Sequence, residues 1–167
     1  MKLEKLLIIK WIKIYKNLWF GLFALGFLFF FVQEIPYIIM PFINLVNNPL
    51  MEMIDTYQVL NIIEKVLGVS TVISMIFLVN SSAKGFSIDS VKEKVFLFLS
   101  ILLLLGYYIS WIFYFSGHHE LSFVLITLVS FVPLYYASIG LWRNNYILVF
   151  IAILFLFAHI ANVWTSY

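Results

Sequence analysis

The chain has no cysteine. Disulfides, thiol nucleophiles, cysteine-ligated zinc or iron–sulfur centres and a cysteine lipid anchor are therefore excluded. Charge is nearly as scarce: 11% of the 167 residues are Asp, Glu, Lys or Arg, too few to coat a soluble globule of this length. There is no phosphate loop, no cofactor fingerprint, no H-E-x-x-H pair and no nucleophile motif, so no recognised catalytic or cofactor chemistry is encoded locally. What is present is apolar. Hydrophobic residues make up 64% and aromatics 20%, with a mean hydropathy of +1.06, which implies that lipid faces most side chains.

A helix needs roughly 20 apolar residues to cross a hydrocarbon core of about 30 Å. Five stretches qualify, at 18–40, 60–79, 95–115, 121–142 and 146–163, and they predict an all-α five-helix transmembrane domain over 18–167. The second stretch is the weakest because Glu64 and Lys65 interrupt it. The third to fifth are joined by turns of only five and three residues (116–120 and 143–145), which makes them antiparallel neighbours.

Threading these spans sorts the charge. Lys2, Lys5, Lys10, Lys13, Lys16, Lys84, Lys92, Lys94 and Arg143 all fall on one side, while Glu34, Glu52, Asp55 and Glu120 fall on the other. Lys65, at a helix margin, is the exception. Basic residues are retained in the cytoplasm, so the expected topology is a multi-pass protein of the cell membrane with the amino terminus cytoplasmic and the carboxyl terminus outside. A four-span alternative that drops the second stretch scatters the lysines to both faces.

Residues 1–17 are expected to form a separate amphipathic helix. At about 100° per residue its five lysines occupy an arc of about 140°, opposite Leu3, Leu7, Trp11, Ile14 and Tyr15. Such a helix lies in the headgroup plane with its lysines toward anionic lipid at the cytoplasmic face; a nucleic-acid partner is not indicated. In the loop over 81–94, Ser90 and Glu93 have the spacing of a capping box. The loop over 35–59 holds Pro36, Pro41 and Pro49 and turns polar at Asn44, Asn47 and Asn48, the pattern of an interfacial or re-entrant outer cap.

Polar groups at membrane depth are costly and face the bundle interior or water. Here they gather toward the outer half: Gln33 and Glu34 on the first span, a stripe of Asn61, Glu64, Gly68, Thr71 and Met75 on the second, Tyr107, Trp111 and Tyr114 on the third, and His159 with Asn162 on the fifth. Counting from Tyr146, His159 lies about 20 Å along its helix. The candidate ligand-binding residues are Glu34, Asn61, Glu64, Tyr107, Trp111 and His159. The duller readings are an aromatic belt for Tyr107, Trp111 and Tyr114, solvated loop histidines for His118 and His119, interface marking for Glu64 and Lys65, and helix–helix hydrogen bonding for His159. His118, His119 and His159 are the only candidate metal-binding histidines, and their spacing matches no metal motif; no metal or other cofactor is expected.

Three functions remain open from sequence. The first is binding of a small molecule or lipid in an outward-facing polar pocket, alone or as a transporter component. The second is a protein-interaction subunit, such as an accessory or immunity factor, with a partner membrane protein. The third is a membrane-embedded enzyme using Glu and His, although no motif points to catalysis. With no internal repeat, a five-helix transporter would need to oligomerise.

Overall fold

The computed structural model describes residues 7–43, 45, 48–54, 56–81 and 85–167. Two strands, β1 (Ile8–Tyr15) and β2 (Leu18–Phe23), come first, and β2 runs straight into α1 (Ala24–Ile39), which a 3₁₀ turn at Met40–Phe42 prolongs. A single turn of helix, α2 (Pro49–Glu52), precedes α3 (Gln58–Phe77), and α3 passes without a break into β3 (Leu78–Asn80). Then come α4 (Val91–Phe115), α5 (Leu121–Trp142) and α6 (Tyr146–Ser166). Among the described residues, five helices are long and apolar enough to cross a membrane: α1 with its 3₁₀ turn, α3, α4, α5 and α6. This is a helical bundle of the multi-pass membrane type.

The core lies around α5. Within the bundle 67% of its most apolar window is buried, against 22–28% for the other four spans, so α5 is the central helix and the others surround it. It packs on α4 and α6, and α6 packs on α3. Two devices shape α5. Ser130 donates its amide to the Leu125 carbonyl five residues back, closing a π-helical segment over Val124–Val129, and Pro133 follows one turn later. Proline cannot donate to the Val129 carbonyl, so the helix already departs from regular α bonding where its ring sits. The expected capping box at the start of α4 is present: the Glu93 amide donates to the Ser90 hydroxyl and the Ser90 amide to the Glu93 carboxylate.

The amphipathic helix expected over 1–17 is not what the described part of that segment forms. Residues 8–23 form a hairpin, and residues 1–6, with Lys2 and Lys5, lie outside the described residues. Lysine spacing suits a helix, but the intervening residues are Ile8, Ile9, Trp11, Ile12, Ile14 and Tyr15, the β-branched and aromatic types that favour a pleated strand. Lys16 turns at φ 33°, and Tyr15 pairs with Leu18 across a two-residue loop. Tertiary pairing then decides: β3 adds to the other edge of β2, with Leu18 opposite Asn80 and Phe20 opposite Leu78, giving a sheet ordered β1-β2-β3. Because β2 takes Leu18–Phe23, the first spanning helix starts at Ala24 rather than at 18.

The two ends of the bundle differ. At the hairpin end, Arg143 in the α5–α6 turn is buried with its guanidinium 4.3 Å from the Phe23 ring centre and 5.3 Å from that of Trp142. Burial lowers its pKa to about 10 while Glu93 pulls the other way, so it keeps its charge at neutral pH. Asn145 ties the end of α3 to the α5–α6 turn by donating to the carbonyls of Ser74 (3.0 Å), which also accepts from the Leu78 amide, and of Leu78 (2.9 Å). At the opposite, cap end, the segment around α2 is tied down. The Tyr114 hydroxyl donates to Asn48 Oδ1 (2.8 Å) and accepts from the Leu50 amide (3.1 Å), and the Thr56 hydroxyl donates to the Thr165 carbonyl (2.8 Å). Leu45, Leu50 and Met53 pack on the core, so this segment covers the bundle end; Asn44, Asn47 and Asp55 lie outside the described residues.

Candidate ligand-binding site

α1 and α3 are pinned together at the hairpin end. The β2–β3 pair joins them there, and a Cβ on Gly26 of α1 would sit 3.2 Å from the Ile76 Cα of α3, a close approach that only glycine permits without displacement. Further toward the cap end α1 is held instead to α4 and α5. Tyr108 donates to the Val32 carbonyl, Tyr135 donates to the Phe29 carbonyl (3.2 Å), and Tyr136 donates to Gln33 Oε1 (2.5 Å). Pro36 explains one of these partners. It has no N–H to give the carbonyl four residues back, Val32, and the Tyr108 hydroxyl occupies that carbonyl.

Between the diverging helices lies a cavity of about 380 Å³, within the range of about 300–1,000 Å³ usual for small-molecule sites. From α1 it takes Phe30, Gln33 and Glu34; from α3, Glu64, Lys65, Gly68, Val69, Val72 and Ile73; α5 supplies Val132 and Tyr136, and α6 supplies Phe155. Polar residues are concentrated toward its cap-ward end and apolar ones toward the hairpin end.

Glu64 anchors the polar end. His159 Nδ1 lies 2.5 Å from Glu64 Oε1, and the Asn162 amide donates to Oε2, so both carboxylate oxygens are engaged by α6. The side chains of His159 and Glu64 are 13% and 15% exposed. Six residues past Gln58, Glu64 sits about 9 Å down α3, and a carboxylate at that depth needs such partners. The His159 ring stacks on Phe155 at 5.1 Å and 20° between planes. Phe155 in turn closes over Gly68, whose missing side chain leaves the room: an added Cβ would stand 3.3 Å from that ring. Asn61 is buried one turn from Glu64, and Thr71 and Met75 are buried along the same stripe, so the polar face of α3 looks inward.

The six candidate residues do not form one set. Glu34 and Glu64 line the cavity and His159 binds Glu64; Asn61 stands one turn along α3. Tyr107 and Trp111 instead belong to a buried aromatic column. Their rings are 6.2 Å apart, Trp111 meets Tyr37 at 5.1 Å and Tyr114 at 5.4 Å, and neither lines the cavity. Tyr107 reaches the site through Gln33, whose amide nitrogen donates to its hydroxyl at 3.4 Å. Gln33, Lys65, Tyr136 and Asn162 are polar site residues that the sequence-based set leaves out. Gln33 is 1% exposed and bridges Tyr107 and Tyr136. Its position at membrane depth is a visible signal, whereas Tyr136 sits in an apolar stretch with none.

The other histidines stand apart. His119 contacts the Tyr114 carbonyl through Nε2 at 2.9 Å, and His118 rests against Phe113 and Phe123. Among the described residues no three His, Asp or Glu side chains are grouped to hold a metal ion. No protein-family model, curated protein or solved structure matches this chain.

Proposed function

We propose that this is a cell-membrane protein that binds a small molecule or lipid in the cavity between α1 and α3, alone or as one component of a transporter, with its amino terminus cytoplasmic and its carboxyl terminus outside. The observation that carries the reading is a cavity of ligand size whose polar end holds Glu34 and a Glu64 that His159 and Asn162 fix in place. Lys10, Lys13, Lys16, Lys92, Lys94 and Arg143 belong to the hairpin end, which supports the cytoplasmic assignment of that end and makes anionic headgroups its natural neighbours. The polar end of the cavity then faces outward.

The Glu64–His159 contact also favours a second reading, an enzyme in which the carboxylate orients the imidazole for proton transfer. Native mass spectrometry of the protein released gently from its own membrane, on the natural chain and on Glu64→Gln and His159→Leu, separates the readings. A retained mass that falls by about tenfold or more in occupancy in both variants supports binding. Unchanged retention with lost conversion of the retained compound supports the enzyme. A chain with no retained small mass but a stoichiometric second polypeptide rejects both and points to an interaction subunit.

A further inference from the structure

We infer that the ligand is a single-chain amphiphile from one bilayer leaflet, with a hydrogen-bond-donating head such as an amine or hydroxyl, that enters sideways between α1 and α3. This rests on the binding reading above and specifies its ligand. Four observations carry it.

The wall of the cavity is also lipid-facing surface: Val69 is 60% and Ile73 50% exposed on α3, while both line the cavity. The mouth therefore opens toward hydrocarbon, and a ligand arriving by that route must be soluble there. The length fits a chain. From Glu64 to Ile73 is nine residues of helix, about 14 Å, and one leaflet of a hydrocarbon core of about 30 Å is about 15 Å deep. Beyond that point the Gly26–Ile76 approach and the β2–β3 pair close the gap between the two helices, so the cavity has the length of one chain although it starts below the outer end of α3.

The head chemistry follows from which polar atoms remain available. Gln33 and Tyr136 are bonded to each other, and Gln33 also donates to Tyr107. The other polar groups lining this end are the Glu34 and Glu64 carboxyl groups and Lys65, with the His159 imidazole bound to Glu64. Each carboxylate oxygen accepts more than one hydrogen bond, so Glu64 has acceptor capacity left after His159 and Asn162 are bound. A donor head fits this end; a phosphate or carboxylate head would bring acceptors to acceptors. Phe30, Phe155 and Tyr136 add aromatic rings beside the same end, which also suits a cation.

The test uses a long-chain alkylamine carrying a photoreactive diazirine in its chain, and the fatty acid of matching length with the same diazirine. Each is added to the full chain in lipid nanodiscs, irradiated, and mapped by peptide mass spectrometry. The amine probe is expected to label the 69–73 segment of α3 at least about tenfold more than the fatty acid does. Val72→Trp, which fills the cavity, should remove most of that labelling; Val66→Trp, on the exposed side of the same helix and outside the cavity, should leave it. Glu34→Gln with Glu64→Gln should bring the two probes level.

Equal or stronger labelling by the fatty acid overturns the head assignment. Labelling of the outward residues Phe98 and Leu102 of α4 as strong as that of 69–73 overturns the lateral site. If native mass spectrometry retains a polar metabolite while neither probe labels 69–73, the amphiphile is wrong and the binding reading survives. If nothing is retained and nothing is labelled, both fail.

Discussion

Gln33 shows why single polar residues matter in this bundle. Its amide is 1% exposed, and its donor and acceptor are both used, by Tyr107 and Tyr136. A buried acceptor stripped of its donor carries its desolvation penalty without return, so Tyr136→Phe is expected to destabilise by about 1–3 kcal/mol. Gln33→Leu strands two tyrosine hydroxyls and should destabilise comparably or more. The double variant should fall short of the sum, because the two residues share one contact. Unfolding in mixed micelles of graded denaturing detergent measures all three, and strict additivity would show that the contact contributes nothing. In the sequence, a glutamine at membrane depth announces itself, and so do Glu64 and His159. The partner of Gln33 does not. Tyr136 lies 103 residues from Gln33 in an apolar helix, and Trp111 shares a helical face with Tyr107 yet packs away from the cavity. Residue type and depth are legible locally, whereas pairing depends on how helices rotate about one another.

Backbone accounting governs the elements. Pro36 leaves the Val32 carbonyl without an intrahelical donor, and Tyr108 supplies one from α4. Tyr108→Phe should therefore destabilise the bundle by about 1 kcal/mol or more and loosen α1 from α4. Pro36→Ala restores an N–H to α1, so in the Pro36→Ala background the same Tyr108→Phe change should be milder. A Tyr108→Phe effect that is the same in both backgrounds would mean that the hydroxyl serves some other purpose. Gly26 sets the other end of α1: Gly26→Leu forces side-chain atoms toward the Ile76 backbone and should cost about 1–3 kcal/mol by overpacking, read in the same detergent titration. Element by element, the spans and the Ser90–Glu93 cap were legible because each depends on neighbours in sequence. The hairpin was not. Its lysines repeat with helical spacing, and the strand that completes its sheet, Leu78–Asn80, arrives about sixty residues later at the end of a helix.

At the scale of the whole molecule, hydropathy orders five spans correctly but does not rank them. α5 is central although its mean hydropathy of 1.9 lies between the 1.6 of α1 and the 2.4 of α6. Centrality follows from close packing at small residues, as at Gly140, where an added Cβ would meet Val149 at 2.8 Å. Orientation is a separate matter that rests on the distribution of lysine and arginine, and the absence of cysteine makes it directly measurable. Single cysteines at exposed positions of the two ends, Asn17→Cys in the hairpin turn and Ser116→Cys after α4, give a chain with one thiol each. In intact cells a maleimide that cannot cross membranes should label Ser116→Cys, and Asn17→Cys should react only after permeabilisation. The opposite pattern would turn the polar end of the cavity toward the cytoplasm and put the basic hairpin outside, against the retention of positive charge. The lateral route into the cavity would persist under either orientation, because it depends on the gap between α1 and α3. The leaflet that supplies the amphiphile would change, since Glu34 and Glu64 would then lie nearer the inner headgroups than the outer ones.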